Sequence, residues 1–216
     1  MAEDDERLLK VVVCGDGASG KTSLCIRFAH DQFDGNYHQT IGLDFFARRL
    51  MLPGDIGVTV QVWDVGGQSI ASSMIDKYVY GADAIIIVYD ITNAASFDDV
   101  PEWVSTVKKL LRTSEKLPVM CLVGNKVDLE VKRVVKVDKH NAMAAEHGMG
   151  CHYTSARTGD SVLLLFRQVA AEVLKIPLAK ADIEKDLTPM VAEATTVIDQ
   201  PRRRAAQRST AVCSLM

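Results

Sequence analysis

A glycine-rich loop near the amino terminus has the residue types needed to bind the phosphates of a nucleotide. Residues 15–22 read Gly-Asp-Gly-Ala-Ser-Gly-Lys-Thr and fit the pattern G-x-x-x-x-G-K-[ST]. In such a loop, backbone N–H groups approach phosphate oxygens, which also face the positive end of the following helix. The pattern assigns Lys21 to the β- and γ-phosphates and Thr22 to Mg²⁺. The alternative is a glycine-rich turn with a chance lysine. The residues predicted here to bind phosphate are Gly15, Asp16, Gly17, Ala18, Ser19, Gly20, Lys21, Thr22 and Ser23.

A second polar segment, Asp64-Val65-Gly66-Gly67-Gln68, ends another apolar run. An aspartate at this point can hold the coordination shell of Mg²⁺, and the Gly67 N–H can meet the γ-phosphate. Gln68 can orient the attacking water, as a glutamine does in GTPases. Alone, the segment is an ordinary strand-ending turn. Downstream of the phosphate loop, it favours Asp64 as a metal ligand, Gly67 as a phosphate contact and Gln68 as the catalytic residue.

The base of the nucleotide can be recognised by Asn125-Lys126-Val127-Asp128. A carboxylate accepts both N1–H and the exocyclic amine of guanine, whereas adenine lacks that donor pair and would leave the carboxylate buried and unpaired. Lys126 can lay its apolar stem along the base. The segment Thr154-Ser155-Ala156-Arg157 would add the Ala156 N–H as a donor to the guanine oxygen, and Phe33 can flank the base. The alternatives are a solvated Asn-Lys turn, a simple loop and a core phenylalanine. The predicted guanine-binding residues are Phe33, Asn125, Lys126, Asp128, Ser155, Ala156 and Arg157.

The elements that would position these segments alternate between strands and helices. The strands are expected at 8–14, 45–52, 56–64, 84–89, 119–123 and 151–154, with a hairpin turn at 53–55. The helices are expected at 20–30, 96–113, 138–147 and 160–176, with Asp138 as cap and Gly148 as stop of the third. This order predicts an α/β fold with a mostly parallel six-stranded sheet, helices on both faces and one antiparallel strand. Such sheets bind ligands beyond the carboxyl ends of their strands, where the polar segments fall.

Composition restricts the class of protein. A chain of 216 residues predicts one domain plus a tail, here a domain at 8–177, a flexible acidic start at 1–7 and a flexible tail at 178–216. A net charge of −3 argues against a nucleic-acid partner, and a mean hydropathy of +0.06 is ordinary for a soluble protein. The five cysteines have neither metal-like spacing nor the pattern of a disulfide framework, which favours a cytosolic chain. There is no apolar run of roughly 18 residues and no signal-peptide pattern.

With these motifs, the sequence resembles the Ras-superfamily small GTPases across residues 8–176. The resemblance implies a P-loop GTPase domain that binds GTP or GDP with Mg²⁺, hydrolyses GTP slowly and acts as a monomer. It makes Thr40 a Mg²⁺ ligand and a γ-phosphate contact, so that the metal set is Thr22, Thr40 and Asp64. It also makes 33–44 and 64–80 the two segments that order with GTP and relax with GDP. The implied partners are effector proteins at those segments, an exchange factor and a GTPase-activating protein.

Short motifs indicate the branch of the superfamily. Residues 63–68, Trp-Asp-Val-Gly-Gly-Gln, look like the Arf branch, but Ala2 stands where N-myristoylation of an Arf requires glycine. The motifs similar to Rabs are Ile41-Gly42-Leu43-Asp44-Phe45, Tyr89-Asp90-Ile91-Thr92 and Asn93-Ala94-Ala95-Ser96-Phe97. These favour the Rab branch, with most similarity to its divergent subgroup numbered twenty-eight. Arg157 replaces a usual lysine, and the paired terminal cysteines of Rabs are missing.

The end of the chain predicts a lipid anchor. Cys213-Ser214-Leu215-Met216 has the C-a-a-X form, and the terminal methionine favours a farnesyl group on Cys213. Because one lipid binds a membrane only marginally, a second signal is expected. The candidate residues are Arg202, Arg203, Arg204 and Arg208. The alternative is a chance cysteine on a solvated basic tail. We therefore expect a protein on the cytoplasmic face of membranes and in the cytosol, and the resemblance implies vesicle trafficking at endosomal or ciliary membranes.

Three other functions stay open on sequence alone. One is an Arf-like GTPase, a second is a nucleotide-dependent scaffold that barely hydrolyses GTP, and a third is a P-loop ATPase or kinase. Intact Gln68 and Thr40 argue against the scaffold, although Gly66 adds local flexibility whose effect the sequence leaves open. Competition between GTP and ATP separates the ATPase from the others.

Overall fold

The computed structural model describes residues 7–71, 74–114 and 116–187, which contain one six-stranded sheet. Its strands are β1 (Arg7–Cys14), β2 (Leu43–Leu52), β3 (Ile56–Val65), β4 (Ala84–Asp90), β5 (Val119–Asn125) and β6 (Gly150–Tyr153). The sheet order is β2-β3-β1-β4-β5-β6. Strand β2 runs antiparallel to β3 and the other neighbours are parallel. The predicted α/β fold, with its hairpin and single antiparallel strand, is confirmed.

Helices cover both faces of the sheet. In the described part of the chain they are α1 (Lys21–His30), α2 (Ile75–Val79), α3 (Ala94–Asp98), α4 (Val100–Leu110), α5 (Val137–His147), α6 (Val162–Leu174) and α7 (Lys180–Leu187). One apolar core packs α1 and α6 against the sheet through Leu24, Phe28 and Phe166. The other packs α4 and its neighbours through Trp103 and Val104. Of these helices, none has both the length and the apolar character needed to cross a bilayer.

The buried side chains of β3 and β4 reflect a sheet whose two faces are both covered by helices. Val58, Val60 and Val62 are fully buried in the core shared with α1 and α6. In the central strand β4 every residue is buried, as expected for a parallel strand with helices on both sides. Because β1 runs parallel to β3 and β4, and β4 runs parallel to β5, the carboxyl ends of these strands share one edge, which the three polar segments follow.

Two predicted helices differ in detail. The helix expected at 96–113 is divided into α3, α4 and a 3₁₀ turn at Leu111–Thr113. Pro101 lies in the first turn of α4, where its missing N–H and its ring are tolerated but prevent one continuous helix. Helix α5 begins at Val137 after Lys136 as N-cap, so the prediction of Asp138 as cap is wrong. Asp138 instead lies in the first turn, where a negative charge faces the positive end of the helix.

The start of the expected flexible tail contains a helix. Residues 180–187 form α7, which packs against α6, and Leu178 packs against the apolar core. The basic cluster and Cys213 lie outside the described residues, so the lipidation prediction is not addressed by the structure.

The described cysteines are free thiols with contrasting environments. Cys14, Cys25 and Cys121 are buried, whereas Cys151 on β6 is exposed. Burial raises the pKa of Cys14 and Cys121 to about 12 and raises that of Cys25 well above its ordinary value. The three buried thiols therefore act as apolar packing groups.

Candidate nucleotide-binding site

A cleft of 630 Å³ opens where β1, β3 and β5 end. The predicted site residues that line it are Gly17, Ala18, Gly20, Lys21, Thr22, Ser23, Phe33, Thr40, Gly67, Gln68, Asn125, Lys126, Asp128, Ala156 and Arg157. Five predicted residues lie outside its lining: Gly15, Asp16, Ser19, Asp64 and Ser155. Three of these, Ser19, Asp64 and Ser155, are fully buried and hydrogen-bond residues that line it. The fold thus brings the separate polar segments to one cleft.

The phosphate-loop lysine is held inside the protein. Gly20 caps α1 with a φ of 87°, in the left-handed region that favours glycine, and Lys21 begins the helix. Lys21 is only 5% exposed, and its Nζ donates to the Asp16 carbonyl at 2.6 Å. Burial lowers the pKa of Lys21, while the charge of Asp64 opposes that shift. A phosphate group would compensate this buried cation.

Three oxygen-bearing side chains from separate segments meet at the start of α1. Thr22 Oγ1 lies 2.7 Å from Thr40 Oγ1 and donates to Asp64 Oδ2 at 2.5 Å, and Thr40 Oγ1 lies 3.4 Å from the same carboxylate oxygen. Asp64 Oδ1 is buried with no hydrogen-bond partner among the described residues. Burial raises the pKa of Asp64, and the Thr22 hydrogen bond opposes the shift. Oxygen ligands with one unsatisfied carboxylate oxygen fit the predicted Mg²⁺.

The two segments expected to respond to the nucleotide meet through the main chain at Gly66. Its N–H donates to the Gly42 carbonyl at 3.0 Å. A Cβ on Gly66 would lie 2.5 Å from the Thr40 carbonyl oxygen, and a Cβ on Gly67 would lie 2.4 Å from the Gly17 nitrogen. Neither contact is sterically possible. The paired glycines therefore permit residues 40–42 and the phosphate loop to approach residues 66–67, which is the structural role that the sequence left open for Gly66.

Gln68 faces the cleft from a firmly held turn. It is exposed and lies in the first turn of the 3₁₀ helix Gly67–Ala71. The neighbouring Ser69 is buried, and its N–H donates to the Gly66 carbonyl at 2.9 Å. An exposed amide on an anchored turn can reach a water molecule near the phosphates.

Asn125 connects three loops around the cleft. It is fully buried at the end of β5, and its Nδ2 donates to the Ser19 carbonyl at 3.0 Å. Its Oδ1 accepts the Ala156 N–H at 3.1 Å and lies 3.4 Å from Thr154 Oγ1. The amide predicted to meet the guanine oxygen is therefore engaged by Asn125 in this structure. It can serve a base only by sharing its hydrogen or by changing partner.

The carboxylate of Asp128 is oriented by the loop after β6. Ser155 Oγ donates to Asp128 Oδ1 at 2.7 Å, and the Thr158 N–H donates to the same hydroxyl at 3.1 Å. Arg157 Nη1 lies 3.8 Å from Asp128 Oδ2, with the arginine side chain 66% exposed and the aspartate side chain 12% exposed. The arginine that replaces a usual lysine therefore places a charge beside this carboxylate. Phe33, the other predicted base contact, is 40% exposed at the cleft and is not a core residue.

Lys126 spans the cleft with the help of a residue that the sequence analysis did not single out as part of the site. Its Nζ donates to the Ala18 carbonyl at 2.8 Å and lies 2.7 Å from Asp90 Oδ2. Asp90 is buried at the end of β4, and its other oxygen accepts from the Thr92 N–H at 2.8 Å. The sequence analysis used Asp90 only as part of a motif similar to Rabs, and its position at the end of an apolar strand was a second signal that could have identified it.

Arg27 is a second residue that the sequence analysis missed. From α1 its Nε donates to the Ala156 carbonyl at 3.0 Å and its Nη2 to the Arg157 carbonyl at 2.8 Å. Its Nη1 donates to the Asp31 carbonyl at 2.8 Å. These partners lie as far as 130 residues away along the chain, so no local pattern could have indicated the contact.

A partly apolar surface lies beside the cleft on β2 and β3. Phe45 is 53% exposed and packs edge-on against Trp63, with 6.0 Å between ring centroids. The ammonium of Lys10 lies 3.9 Å from the Trp63 ring centroid. Ile41, between this surface and the cleft, is 91% exposed. The exposed Phe45 side chain and the partly buried Trp63 side chain form a surface that can contact another protein.

Comparison of the sequence with known proteins identifies one protein family that this chain matches. Residues 10–175 match the family model described as "Ras family". The chain is 50% identical to Ras-related protein Rab-28 of Caenorhabditis elegans over 221 aligned residues, which cover 99% of this chain and 88% of that protein. It is 38% identical to Ras-related protein Rab-13 of Bos taurus over 175 residues, covering 81% and 84% of the two chains. The chain is also 37% identical to the Rab-13 of Rattus norvegicus over 175 residues, which again cover 81% of this chain and 84% of that protein.

Proposed function

Because this chain belongs to the Ras family, and within it to the Rab branch of small GTPases, we propose that it is a GTP/GDP-regulated switch that recruits effector proteins to membranes. The observation that carries the proposal is one cleft lined by Lys21, Thr22, Gln68 and Asp128. These residues come from four different segments and have the chemistry for phosphate, metal, water and base, respectively.

Guanine selectivity would come from Asp128. Its carboxylate is held by Ser155 and is mostly buried at the cleft, so a base that failed to donate two hydrogens would leave a buried charge unpaired. The stem of Lys126 would cover one face of the base while its ammonium stays bound to Asp90 and Ala18.

The phosphate end would be bound by Lys21 and the loop amides, with Mg²⁺ held by Thr22, Thr40 and the shell of Asp64. The bound ion would neutralise developing charge on the phosphate oxygens. Gln68 would orient the attacking water. Intrinsic hydrolysis in this class is slow, at roughly 10⁻⁴ to 10⁻³ per second, so an activating protein would be needed for timely reset.

The switch itself would lie in residues 33–44 and 64–80. Thr40 would sense the γ-phosphate, and the Gly66–Gly42 hydrogen bond would carry its position to the second segment. The neighbouring surface of Phe45 and Trp63 would then be presented to effectors. We propose work in vesicle or endosomal trafficking, with endosomal or ciliary membranes as the sites of action.

Membrane attachment would depend on a prenyl group at Cys213, aided by the arginines at 202–204 and 208. A mass increment of one farnesyl group on the carboxyl-terminal peptide, isolated from cells, would support this anchor. The same peptide without any prenyl increment would contradict it, and Cys213→Ser provides the matched control for membrane fractionation.

The test of nucleotide selectivity is a titration of the full chain with fluorescent GDP and GTP in Mg²⁺, using ATP as competitor. We expect tight guanine binding that ATP does not displace and a loss of that preference in Asp128→Ala. Unchanged preference in Asp128→Ala would remove the role of Asp128. Adenine-tolerant wild-type binding would instead favour an ATPase.

Hydrolysis is tested separately by single-turnover phosphate release. The wild-type chain should release phosphate slowly, and Gln68→Leu should release it at least about tenfold more slowly, because loss of a residue that orients the nucleophile costs at least one factor of ten. Tight binding without release, also in the presence of an activating protein, would identify a nucleotide-dependent scaffold.

A further inference from the structure

Arg27 joins two walls of the base end of the cleft. One wall is the loop at 155–158, where the guanidinium donates to two successive carbonyls, those of Ala156 and Arg157. The other is the end of α1, where Nη1 donates to the Asp31 carbonyl and lies 3.2 Å from Asp31 Oδ1. Asp31 has a φ of 55° and directs the chain toward residues 33–40 on the cleft wall. One side chain therefore fixes segments that are far apart in sequence.

The contact with the 155–158 loop continues to the base-reading carboxylate. The Arg157 carbonyl, which Arg27 binds, belongs to the same peptide group as the Thr158 N–H. That N–H donates to Ser155 Oγ at 3.1 Å, and Ser155 donates to Asp128 Oδ1 at 2.7 Å. A planar guanidinium that holds this peptide therefore sets the direction of the Ser155 hydroxyl and, through it, of the Asp128 carboxylate.

The burial of the Arg27 side chain indicates that its hydrogen bonds hold it more firmly than a solvent-exposed ion pair with Asp31 would. Its side chain is 15% exposed, whereas the Asp31 side chain is 57% exposed. The chain just after the 155–158 loop also packs against Arg27, since a Cβ on Gly159 would lie at van der Waals distance, 3.6 Å, from Arg27 Cδ. A surface helix pair at i, i+4 would not require contacts to a loop 129 and 130 residues away.

We propose that Arg27 is a positioning residue for guanine recognition, holding the 155–158 loop and the start of the first switch segment in the register that Asp128 needs. Arg27 is not among the residues that line the cleft, so we expect it to act without touching the nucleotide. The proposal rests on the proposed function and adds to it a determinant of base selectivity outside the predicted motifs.

The experiment compares GDP with IDP, which lacks the exocyclic amine that Asp128 would read. Dissociation rates and affinities are measured for the full wild-type chain, Arg27→Gln and Arg27→Lys. Arg27→Lys keeps the charge and the stem but cannot bind several carbonyls in one plane. Losing one such bond is expected to speed GDP release about tenfold and to narrow the preference for GDP over IDP by about threefold.

Arg48→Gln is the matched control. Arg48 donates to the Phe28 carbonyl at 2.6 Å, so it also holds the end of α1, but from β2. Its replacement should lower the thermal unfolding temperature while leaving the ratio of GDP to IDP affinity as in the wild type. If the Arg27 variants weaken GDP and IDP equally, or if GDP release is unchanged, the positioning role is wrong.

Amide hydrogen exchange measures how firmly the 155–158 loop is held, and it does so without a bound nucleotide. A wild-type chain that binds no guanine nucleotide would refute the proposed function and the role of Arg27 in base selectivity, whereas the contacts of Arg27 within the protein could still be tested. Faster exchange of residues 156–158 in both Arg27 variants, with wild-type exchange in Arg48→Gln, would support the part of the proposal in which Arg27 holds this loop. Equal exchange in all chains would overturn it.

Discussion

At the scale of single residues, the charged side chains of the site are held in place by ion pairs and hydrogen bonds with other residues of the protein. Lys126 reaches over the cleft because Asp90 and the Ala18 carbonyl bind its ammonium. The Asp90 side chain is 9% exposed, so its charge is poorly screened by solvent and acts on Lys126 more strongly than a surface carboxylate would.

We expect Asp90→Asn to speed the release of GDP about fivefold, because the Lys126 ammonium loses its charged partner while the shape of the side chain at position 90 is kept. A stopped-flow measurement with fluorescent GDP checks this. Lys116→Ala is the control: it removes an ion pair with Asp83 in which the lysine side chain is 68% exposed, and it should leave the rate unchanged. Equal rates in wild type and Asp90→Asn would show that Ala18 alone suffices.

The sequence could predict which residues line the cleft but not how they are supported. Asp128, Lys21 and Gln68 occur in recognisable local patterns, and each pattern begins at or just after the end of a strand. Arg27 and Asp90 act on residues that are far away in the chain, so their roles depend on tertiary contacts that no short pattern encodes. The Ala156 amide illustrates the same limit, since its hydrogen bond to Asn125 spans 31 residues.

At the scale of elements, the approach of the two switch segments depends on Gly66. An alanine there would place its Cβ 2.5 Å from the Thr40 carbonyl, so residues 40–42 would have to move away and the Gly66–Gly42 hydrogen bond would lengthen. Because Thr40 is expected to contact the γ-phosphate, which GDP lacks, the cost falls on the GTP state.

We therefore expect Gly66→Ala to lower the ratio of GTP to GDP affinity about tenfold, corresponding to a strain of about 1.4 kcal/mol in one state only. Competition titrations with both nucleotides measure the ratio. Gly57→Ala is the control, because a Cβ there would meet only the flexible end of the Arg49 side chain. A ratio that stays at the wild-type value would mean that the segments separate without cost.

Elements were predictable where their pattern was local. Apolar runs and the Pro-Gly-Asp turn identified the strands and the hairpin, and Gly148 ends α5 as predicted. The division between α3 and α4 was missed because the apolar spacing continues through Pro101, and backbone geometry outweighs that spacing. Helix α7 was missed because its stability comes from packing on α6 rather than from a strong apolar repeat of its own.

At the scale of the whole molecule, a buried histidine makes stability depend on pH. His140 is fully buried, its Nδ1 lies 2.9 Å from the Tyr89 hydroxyl and its ring stacks on Tyr153. Burial lowers the pKa of His140 from 6.5 to about 4, with the charges of His152 and Arg133 adding to the shift. Burial also lowers the pKa of His152, which hydrogen-bonds Gln168.

In the unfolded chain His140 binds a proton as the pH falls below 6.5. In the folded chain it binds that proton only as the pH approaches about 4. The free energy of unfolding should therefore fall between pH 6.5 and 4, by at most about 3 kcal/mol from this residue. Urea unfolding across that range should show a shallower fall for His140→Gln, while His30→Gln, an exposed position, should follow the wild type. Identical pH profiles for wild type and His140→Gln would show that other residues cause the pH dependence of the free energy of unfolding.

The distribution of thiols has a practical consequence for spectroscopy. Among the described cysteines, three are enclosed by the core and hold their protons tightly, so a maleimide dye added at neutral pH should react at Cys151. With Cys213 replaced by serine, the labelled position is then on β6, directly before residues 154–157. We expect the signal of a fluorophore attached at Cys151 to change when guanine nucleotide binds and dissociates, without the need for an engineered cysteine.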